Sequence, residues 1–300
     1  MVTRASALRN RISQGPLLMA PGAYDPLSAM LVEGAGYEAV YLTGGGYSRS
    51  NGLPDIGLLT MTEVVSLIDR VCDVVTIPVI ADLDNGYGNA LSVRRAVRAF
   101  ERAGVSGFHL EDQVIPKRCG HYDGKALVSV GEMIGKISAA LDARSDDNVL
   151  VIARTDARAT EGLDAALDRV SAYLDAGADL GFVEAPQSID ELRCIPEREP
   201  RAAMANIFEG GRTPFVTNSD LQAWGYRLAI YPSQAQRAAI WAMRQTLRHM
   251  RGTGSSAEMA HQMVSFQERE DIVKTSGWDL LAAKYGADAA SDTPRAGRGG

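Results

Sequence analysis

Lys117-Arg118-Cys119-Gly120-His121 sets a lone thiol among three basic side chains. Nearby positive charge stabilises a thiolate, so a cysteine in such a loop is reactive. Just upstream stand two alternating polar pairs, Asp82-Leu83-Asp84 and His109-Leu110-Glu111. Alternate residues of an extended strand leave the same face, so Asp82 and Asp84 point one way if 79–84 is extended. Crowded carboxylates raise one another's pKa unless a cation neutralises them. An all-oxygen set suits Mg²⁺ or Mn²⁺ better than zinc. The plainer alternative is a basic surface loop with an incidental cysteine, beside acids that cap helices or pair with Arg154. Thr43-Gly44-Gly45-Gly46 lacks the Lys-Ser/Thr of a phosphate loop. Its glycines let backbone amides approach a carboxylate or oxyanion, or make only a tight turn. Arg154 is a rigid fork for a carboxylate, with an internal pair to Glu184 as the compatible alternative.

These residues need a scaffold that gathers them. Short apolar runs at 17–20, 39–43, 79–83, 107–111, 150–154, 180–184, 202–205 and 228–231 read as buried parallel strands. Helical patterns alternate with them at 26–34, 62–74, 90–103, 130–143, 163–176, 189–194, 218–224 and 234–250. Glycines at the ends of several helices (Gly36, Gly104, Gly177) read as C-caps. Eight strand–helix units predict an α/β chain folded as a (β/α)8 barrel. An open doubly wound sheet is the alternative, but the first junction lacks GxGxxG and polar residues end nearly every strand. In a barrel, Asp25, Thr43, Asp84, Glu111, Arg154, Glu184, Asn206 and Tyr231 would ring one mouth. The connection 112–130 exceeds the usual βα loop of about 2–6 residues and reads as a lid carrying Cys119 and His121.

The predicted organisation is a catalytic barrel at 1–251, a helical extension at 252–286 and a disordered tail at 287–300, rich in Ala, Gly, Arg and Asp. Helical patterns at 255–267 and 272–285 stand outside the eightfold repeat. Their apolar positions predict packing on another subunit. Hydrophobic content of 46% suffices for a large core, and a net charge of −6 argues against a nucleic-acid partner. Cys72, Cys119 and Cys194 make no CxxC pair, so neither a disulfide framework nor a zinc site is suggested. Cys72 and Cys194 fall in helical patterns as packing residues. No apolar run reads as a signal peptide or membrane span, which predicts a cytoplasmic protein without a membrane partner.

Gly52-Leu53-Pro54-Asp55, Asp82-Leu83-Asp84-Asn85-Gly86-Tyr87-Gly88, His109-Leu110-Glu111-Asp112-Gln113, Pro116 to His121 and Ile152 to Ala157 carry a resemblance. To about Tyr231 the chain resembles the isocitrate lyase / phosphoenolpyruvate mutase superfamily. It is most similar to the short branch of methylisocitrate lyase, dimethylmalate lyase and carboxyphosphonoenolpyruvate phosphonomutase. The resemblance implies a barrel whose eighth helix is exchanged between subunits, in a homotetramer built as a dimer of dimers. It implies Mg²⁺, with Mn²⁺ as a substitute, held by Asp84 and, directly or through water, by Asp55, Asp82 and Glu111. Thr43, Gly44 and Gly45 match the segment that binds the carboxylate and keto oxygen of an α-keto acid. Arg154 matches the partner of a substrate carboxylate, while Glu184 and Asn206 match pocket residues, and Gly120 belongs to the closing loop. Cys119 matches the general acid of the lyases, and Pro232 after Tyr231 looks like the lyase branch.

The expected activity is therefore Mg²⁺-dependent C–C cleavage of a 2-hydroxy di- or tricarboxylate, such as 2,3-dimethylmalate or 2-methylisocitrate, to an α-keto acid and a carboxylate. Lys117, Arg118 and His121 would stabilise developing negative charge. Tyr41 and Glu184 are both candidates for the base by position. A phosphonomutase, an oxaloacetate decarboxylase or a barrel that only binds a metabolite are the alternatives.

Overall fold

The computed structural model describes residues 3–120, 122 and 124–286; the expectations for His121 and for the tail at 287–300 lie outside the described residues. Eight strands, β1 (Leu18–Ala23), β2 (Val40–Leu42), β3 (Val79–Asp82), β4 (Gly107–Glu111), β5 (Leu150–Thr155), β6 (Leu180–Val183), β7 (Met204–Asn206) and β8 (Leu228–Tyr231), close in sequence order into a barrel. Every neighbouring pair is parallel, and β1 against β8 makes the closure. The fold is the expected (β/α)8 barrel. Parallel strands have both faces covered, and these are buried almost throughout.

Around them run α2 (Pro26–Gly34), α3 (Gly44–Ser50), α4 (Met61–Val74), α5 (Ala90–Arg102), α6 (Val130–Ala143), α7 (Ala157–Thr160), α8 (Leu163–Asp175), α9 (Ile189–Arg198) and α10 (Asn218–Trp224), with α1 (Arg4–Gln14) preceding β1 and α11 (Gln234–Thr253) following β8 in the chain. Helix α5 shows why they form. Val93, Ala96, Val97 and Phe100 are buried at helical spacing, and arginines occupy other positions. Asn89 caps its first turn through Leu91 and Ser92 N–H.

Two layers of core result. The outer layer joins strands to helices through Ile68, Val97, Phe100, Phe108, Ile137 and Val170. The inner one fills the barrel with Leu18, Tyr41, Ile80, Ile152, Phe182 and Ile230. Leu8 and Ile12 of α1 belong to the inner cluster. Helix α1, absent from the sequence expectations, thus closes the end of the barrel where the strands begin.

The chain divides into two compact units, one ending at Ile240 and the other starting at Trp241. Within the second unit a 3₁₀ turn (Ala257–Gln262) precedes α12 (Phe266–Ile272) and α13 (Thr275–Tyr285). The continuous helix expected at 255–267 is replaced by the 3₁₀ turn and the start of α12, where Ser265 caps the new helix through Glu268 N–H.

Candidate active site

Strand register sets the site. Asp82 of β3 lies opposite His109 of β4, and Glu111 of β4 lies opposite Arg154 of β5. Beyond Asp82 the chain leaves the sheet: Asp84 and Tyr87 have φ of 50° and 60°, with Gly86 at 81°. Asp84 N–H donates to Asp82 Oδ1 at 2.9 Å, which locks the turn. The two aspartates therefore do not share an extended strand, as expected from their spacing, but are joined by this bond.

A cavity of about 170 Å³ opens at the strand ends. Its wall contains Tyr41, Thr43, Gly45, Asp55, Asp82, Lys117, Arg118, Cys119, Gly120, Arg154, Glu184, Asn206 and Pro232, all singled out from the sequence. Gly44, Asp84 and Glu111 are not on that wall. Asp25 and Tyr231, placed in the same ring from the sequence, are used elsewhere. Asp25 caps α2 by accepting Ser28 N–H at 2.7 Å, and Tyr231 hydrogen-bonds Asn218 beside a separate apolar hollow.

Four carboxylates gather around Lys117. Its Nζ lies 2.5 Å from Asp55 Oδ1 and 2.8 Å from Asp84 Oδ1. Burial would discharge this lysine, but Asp84, Asp55, Asp82 and Glu111 outweigh it and hold the ammonium well above its usual range. Burial pushes Asp84 up to about 6, against the pull of Lys117. Burial likewise raises Glu111 well above an ordinary glutamate.

Among the described residues no three acidic, imidazole or thiol side chains converge as a ready metal site. The donor chemistry still suits a hard cation. Glu111 Oε1 is buried without a hydrogen-bond partner, Asp84 Oδ1 has only its ion pair, and every donor is oxygen. Lys117 stands among them as the positive charge that such a group requires.

On the opposite side, Arg154 is clamped. Asp156 takes its Nε at 2.9 Å, and Glu111 and Glu184 lie 3.4 and 3.7 Å from its outer nitrogens. The ring of Phe182 lies beneath its guanidinium at 5.4 Å. Asn206 Nδ2 donates to both oxygens of Glu184 at 3.3 Å. Thr43 caps α3, its Oγ1 accepting Gly46 N–H at 3.1 Å. The glycine segment is thus a helix N-terminus and not a bare turn, and Gly44 and Gly45 supply its leading amides.

Tyr41 meets a partner the sequence reading did not assign. Its hydroxyl lies 2.7 Å from His109 Nε2. Burial, aided by Arg154, lowers His109 to about 3, so the imidazole is neutral. Burial also raises Tyr41 well above its ordinary value. Asp156, part of the Ile152 to Ala157 motif, had no role of its own in the sequence reading, although it follows Arg154 by two residues just past β5. Lys125 belongs to the loop 122–125 that the sequence reading gave to the pocket for the substrate's variable substituents, and it instead bonds Asp156 and the Gly120 backbone oxygen. Cys119 N–H donates to the Asp55 backbone oxygen at 3.2 Å, tying the thiol segment to the acidic side of the cavity.

A closed parallel barrel whose acidic and basic groups meet at the strand ends is the frame of an enzyme. Comparison with known proteins makes this specific. Residues 8–251 match the family model described as phosphoenolpyruvate phosphomutase. The chain is 44% identical to 2,3-dimethylmalate lyase of Eubacterium barkeri over 90% of this chain and 93% of that protein. It is 40% identical to 2-methylisocitrate lyase of Aeropyrum pernix (89% and 86%) and 41% identical to the chloroplastic carboxyvinyl-carboxyphosphonate phosphorylmutase of Arabidopsis thaliana (91% and 81%). A crystal structure of 2,3-dimethylmalate lyase, a PEP mutase/isocitrate lyase superfamily member, superposes with a TM-score of 0.91 at 33% identity, covering 99% of this chain and 100% of that one. Phosphonopyruvate hydrolase in complex with oxalate and Mg²⁺ gives 0.86 at 32%, covering 94% and 99%. The chain belongs to the phosphoenolpyruvate phosphomutase family, within the PEP mutase/isocitrate lyase superfamily.

Proposed function

We propose that this chain is a divalent-cation-dependent carbon–carbon lyase. Its substrate is a 2-hydroxy di- or tricarboxylate of the 2,3-dimethylmalate or 2-methylisocitrate kind, and its products are an α-keto acid such as pyruvate and a second carboxylate. The observation that carries this reading is Cys119 on the wall of the same cavity as Arg154, Glu184 and the Thr43–Gly46 segment. A thiol there faces the place where a substrate bond would break.

Arg154, held flat by Asp156, presents its remaining donors to a substrate carboxylate. The Gly44 and Gly45 amides, left over once Thr43 has taken Gly46, suit the carboxylate and oxygen of the departing keto acid. Asp84, with Asp55, Asp82 and Glu111, would hold Mg²⁺ or Mn²⁺, and a cation there supplies Lewis-acid stabilisation of developing oxygen charge. Glu184, backed by Asn206, removes the hydroxyl proton; Tyr41, the other candidate by position, keeps its own proton, because burial raises it well above its ordinary value and the neutral ring of His109 beside it takes none. Cleavage leaves a carbanion on the other fragment, and the Cys119 thiol gives it a proton. Arg118, on the wall beside Cys119, favours the resulting thiolate.

Phosphoryl migration is the second reading, favoured by the likeness to a phosphorylmutase. The assembly proposed with the lyase reading is a dimer of dimers with the eighth barrel helix exchanged, built from a barrel at 1–251 and an extension at 252–286. The deciding assay supplies purified protein with Mg²⁺ and, separately, 2,3-dimethylmalate, 2-methylisocitrate and oxaloacetate, and follows pyruvate release. Pyruvate from either of the first two is expected. Release from oxaloacetate alone would replace the lyase by a decarboxylase.

A further inference from the structure

One charged side chain that the proposed reaction leaves unused, Lys125, lies against the carboxylate that holds Arg154. Lys125 is buried, and its Nζ donates to Asp156 Oδ1 at 2.8 Å and to the backbone oxygen of Gly120. Asp156 has no solvent exposure. The same carboxylate takes Arg154 Nε on Oδ2 at 2.9 Å and Arg154 Nη2 on Oδ1 at 3.2 Å. Asp156 does not drift, because its own N–H is held by Asp112 Oδ1 at 2.9 Å, and Asp112 is gripped in turn by Thr155 and Tyr173. One fixed carboxylate therefore anchors the guanidinium at the end of β5 and, through Lys125, the peptide next to Cys119.

The packing at Gly120 shows how tight this seat is. A Cβ added there would come within 2.5 Å of both Arg154 Nη2 and Glu184 Cγ. The backbone beside the thiol thus rests directly on two side chains of the cavity wall. It is held on one side by Lys125 at the Gly120 oxygen and on the other by the Asp55 oxygen at Cys119 N–H.

We propose that Lys125 is a positioning residue for Cys119: bridging the Gly120 oxygen to Asp156, it seats the thiol-bearing segment on Arg154, so that one carboxylate aligns both the proton donor and the carboxylate-binding fork. The consequence for turnover rests on the lyase reading above; the seating itself does not. A lysine that merely neutralised Asp156 would leave the thiol's accessibility unchanged when removed. A lysine that acted on Cys119 only by its charge would, when removed, disfavour the thiolate and slow its alkylation. A lysine that seats the segment does the opposite, because its loss releases the thiol to solvent.

The experiment is iodoacetamide labelling of the native full-length protein at one fixed pH. Labelling is read at Cys119 by peptide mass spectrometry, with Cys194 of α9 as the internal reference. Lys125→Met is expected to label faster at Cys119 by about tenfold or more, the population shift that follows from losing charged hydrogen bonds. Labelling of Cys194 is expected to stay at the wild-type rate. Pyruvate release should lose kcat more than it gains in KM, since the thiol and not the fork is displaced. Asp156→Asn keeps the side chain's size. It should also speed Cys119 labelling, with a larger rise in KM because Arg154 is loosened too. Should Lys125→Met fail to fold by circular dichroism, Asp156→Asn carries the same labelling comparison alone. Unchanged or slower labelling of Cys119 in the folded variants overturns the proposal. Wild-type protein that released no pyruvate from any substrate would remove the lyase reading and leave the labelling result standing.

Discussion

Lys117 and a divalent cation would claim the same oxygens. The ammonium sits 2.5 and 2.8 Å from Asp55 and Asp84, inside a group of four carboxylates. Replacing it by an uncharged side chain leaves Asp55 and Asp84 without their ion-pair partner, while Glu111 keeps Arg154 at 3.4 Å. A unit charge at about 4 Å is worth about 4 kcal/mol at the effective dielectric of such sites, so Lys117→Met should bind Mn²⁺ at least about tenfold more tightly. Electron paramagnetic resonance titration of free Mn²⁺ measures this without any turnover. Equal or weaker binding would mean that Lys117 organises the carboxylates for the metal and does not compete with it. Cys119 makes a second expectation at this scale. Cys119→Ala removes the proposed acid and should cost about 10²–10⁴ in lyase turnover, while Mn²⁺ binding persists. Near-full lyase turnover of that variant would mean that Cys119 is not the acid; near-full activity of it on a phosphonate substrate would favour phosphoryl migration, which needs no proton donor. Most of the cavity wall was legible because a parallel barrel brings the ends of distant strands together, whatever their separation in sequence. The exceptions have local causes. Asp25 is spent on its own helix cap, and Lys125 reaches back across a loop whose path no periodicity describes.

Helix α9 shows at the scale of an element what periodicity misses. A proline predicts a helix end before it, yet α9 continues through Pro196 to Arg198. Pro196 has no N–H to offer the carbonyl four residues back. That carbonyl, of Leu192, instead accepts the hydroxyl of the buried Tyr226 at 2.9 Å. A distant side chain thus restores the bond that proline removed, and the helix end is set by tertiary contact. Tyr226→Phe should strand the Leu192 oxygen and lower stability by about 1–3 kcal/mol. The loss should shrink in a Pro196→Ala background, where position 196 regains its own donor. Urea unfolding of the two single variants and the double one tests the pair, and additive losses would refute it. Helices α1 and α3 escaped the sequence reading for related reasons. The first is short and strongly polar, with only Ala5, Leu8 and Ile12 buried. The second begins with three glycines, poor helix formers that here follow the Thr43 cap.

For the whole molecule, the second unit poses a solvation problem. No described residue from Trp241 onward is buried. Trp241, Leu247, Phe266, Trp278, Leu280 and Tyr285 are each between 63% and 74% exposed. Single exposed apolar side chains are ordinary, but so many large ones within one short unit are the mark of an interaction surface. A second copy of the chain is the expected cover, since the helical extension has no place in the eightfold repeat that completes the barrel. Stable contacts bury on the order of 800 Å² per partner, which a few such side chains with their helices can supply. Light scattering coupled to size exclusion should therefore report at least twice the chain mass of 32.1 kDa at micromolar concentration. Trp278→Glu together with Leu280→Glu should shift that mass toward the single chain. Both side chains are exposed in α13, so the change removes no buried contact of the chain itself, and far-ultraviolet circular dichroism should be unaltered. A wild-type mass of 32.1 kDa under those conditions would refute the assembly and leave the apolar surface to a partner of another kind.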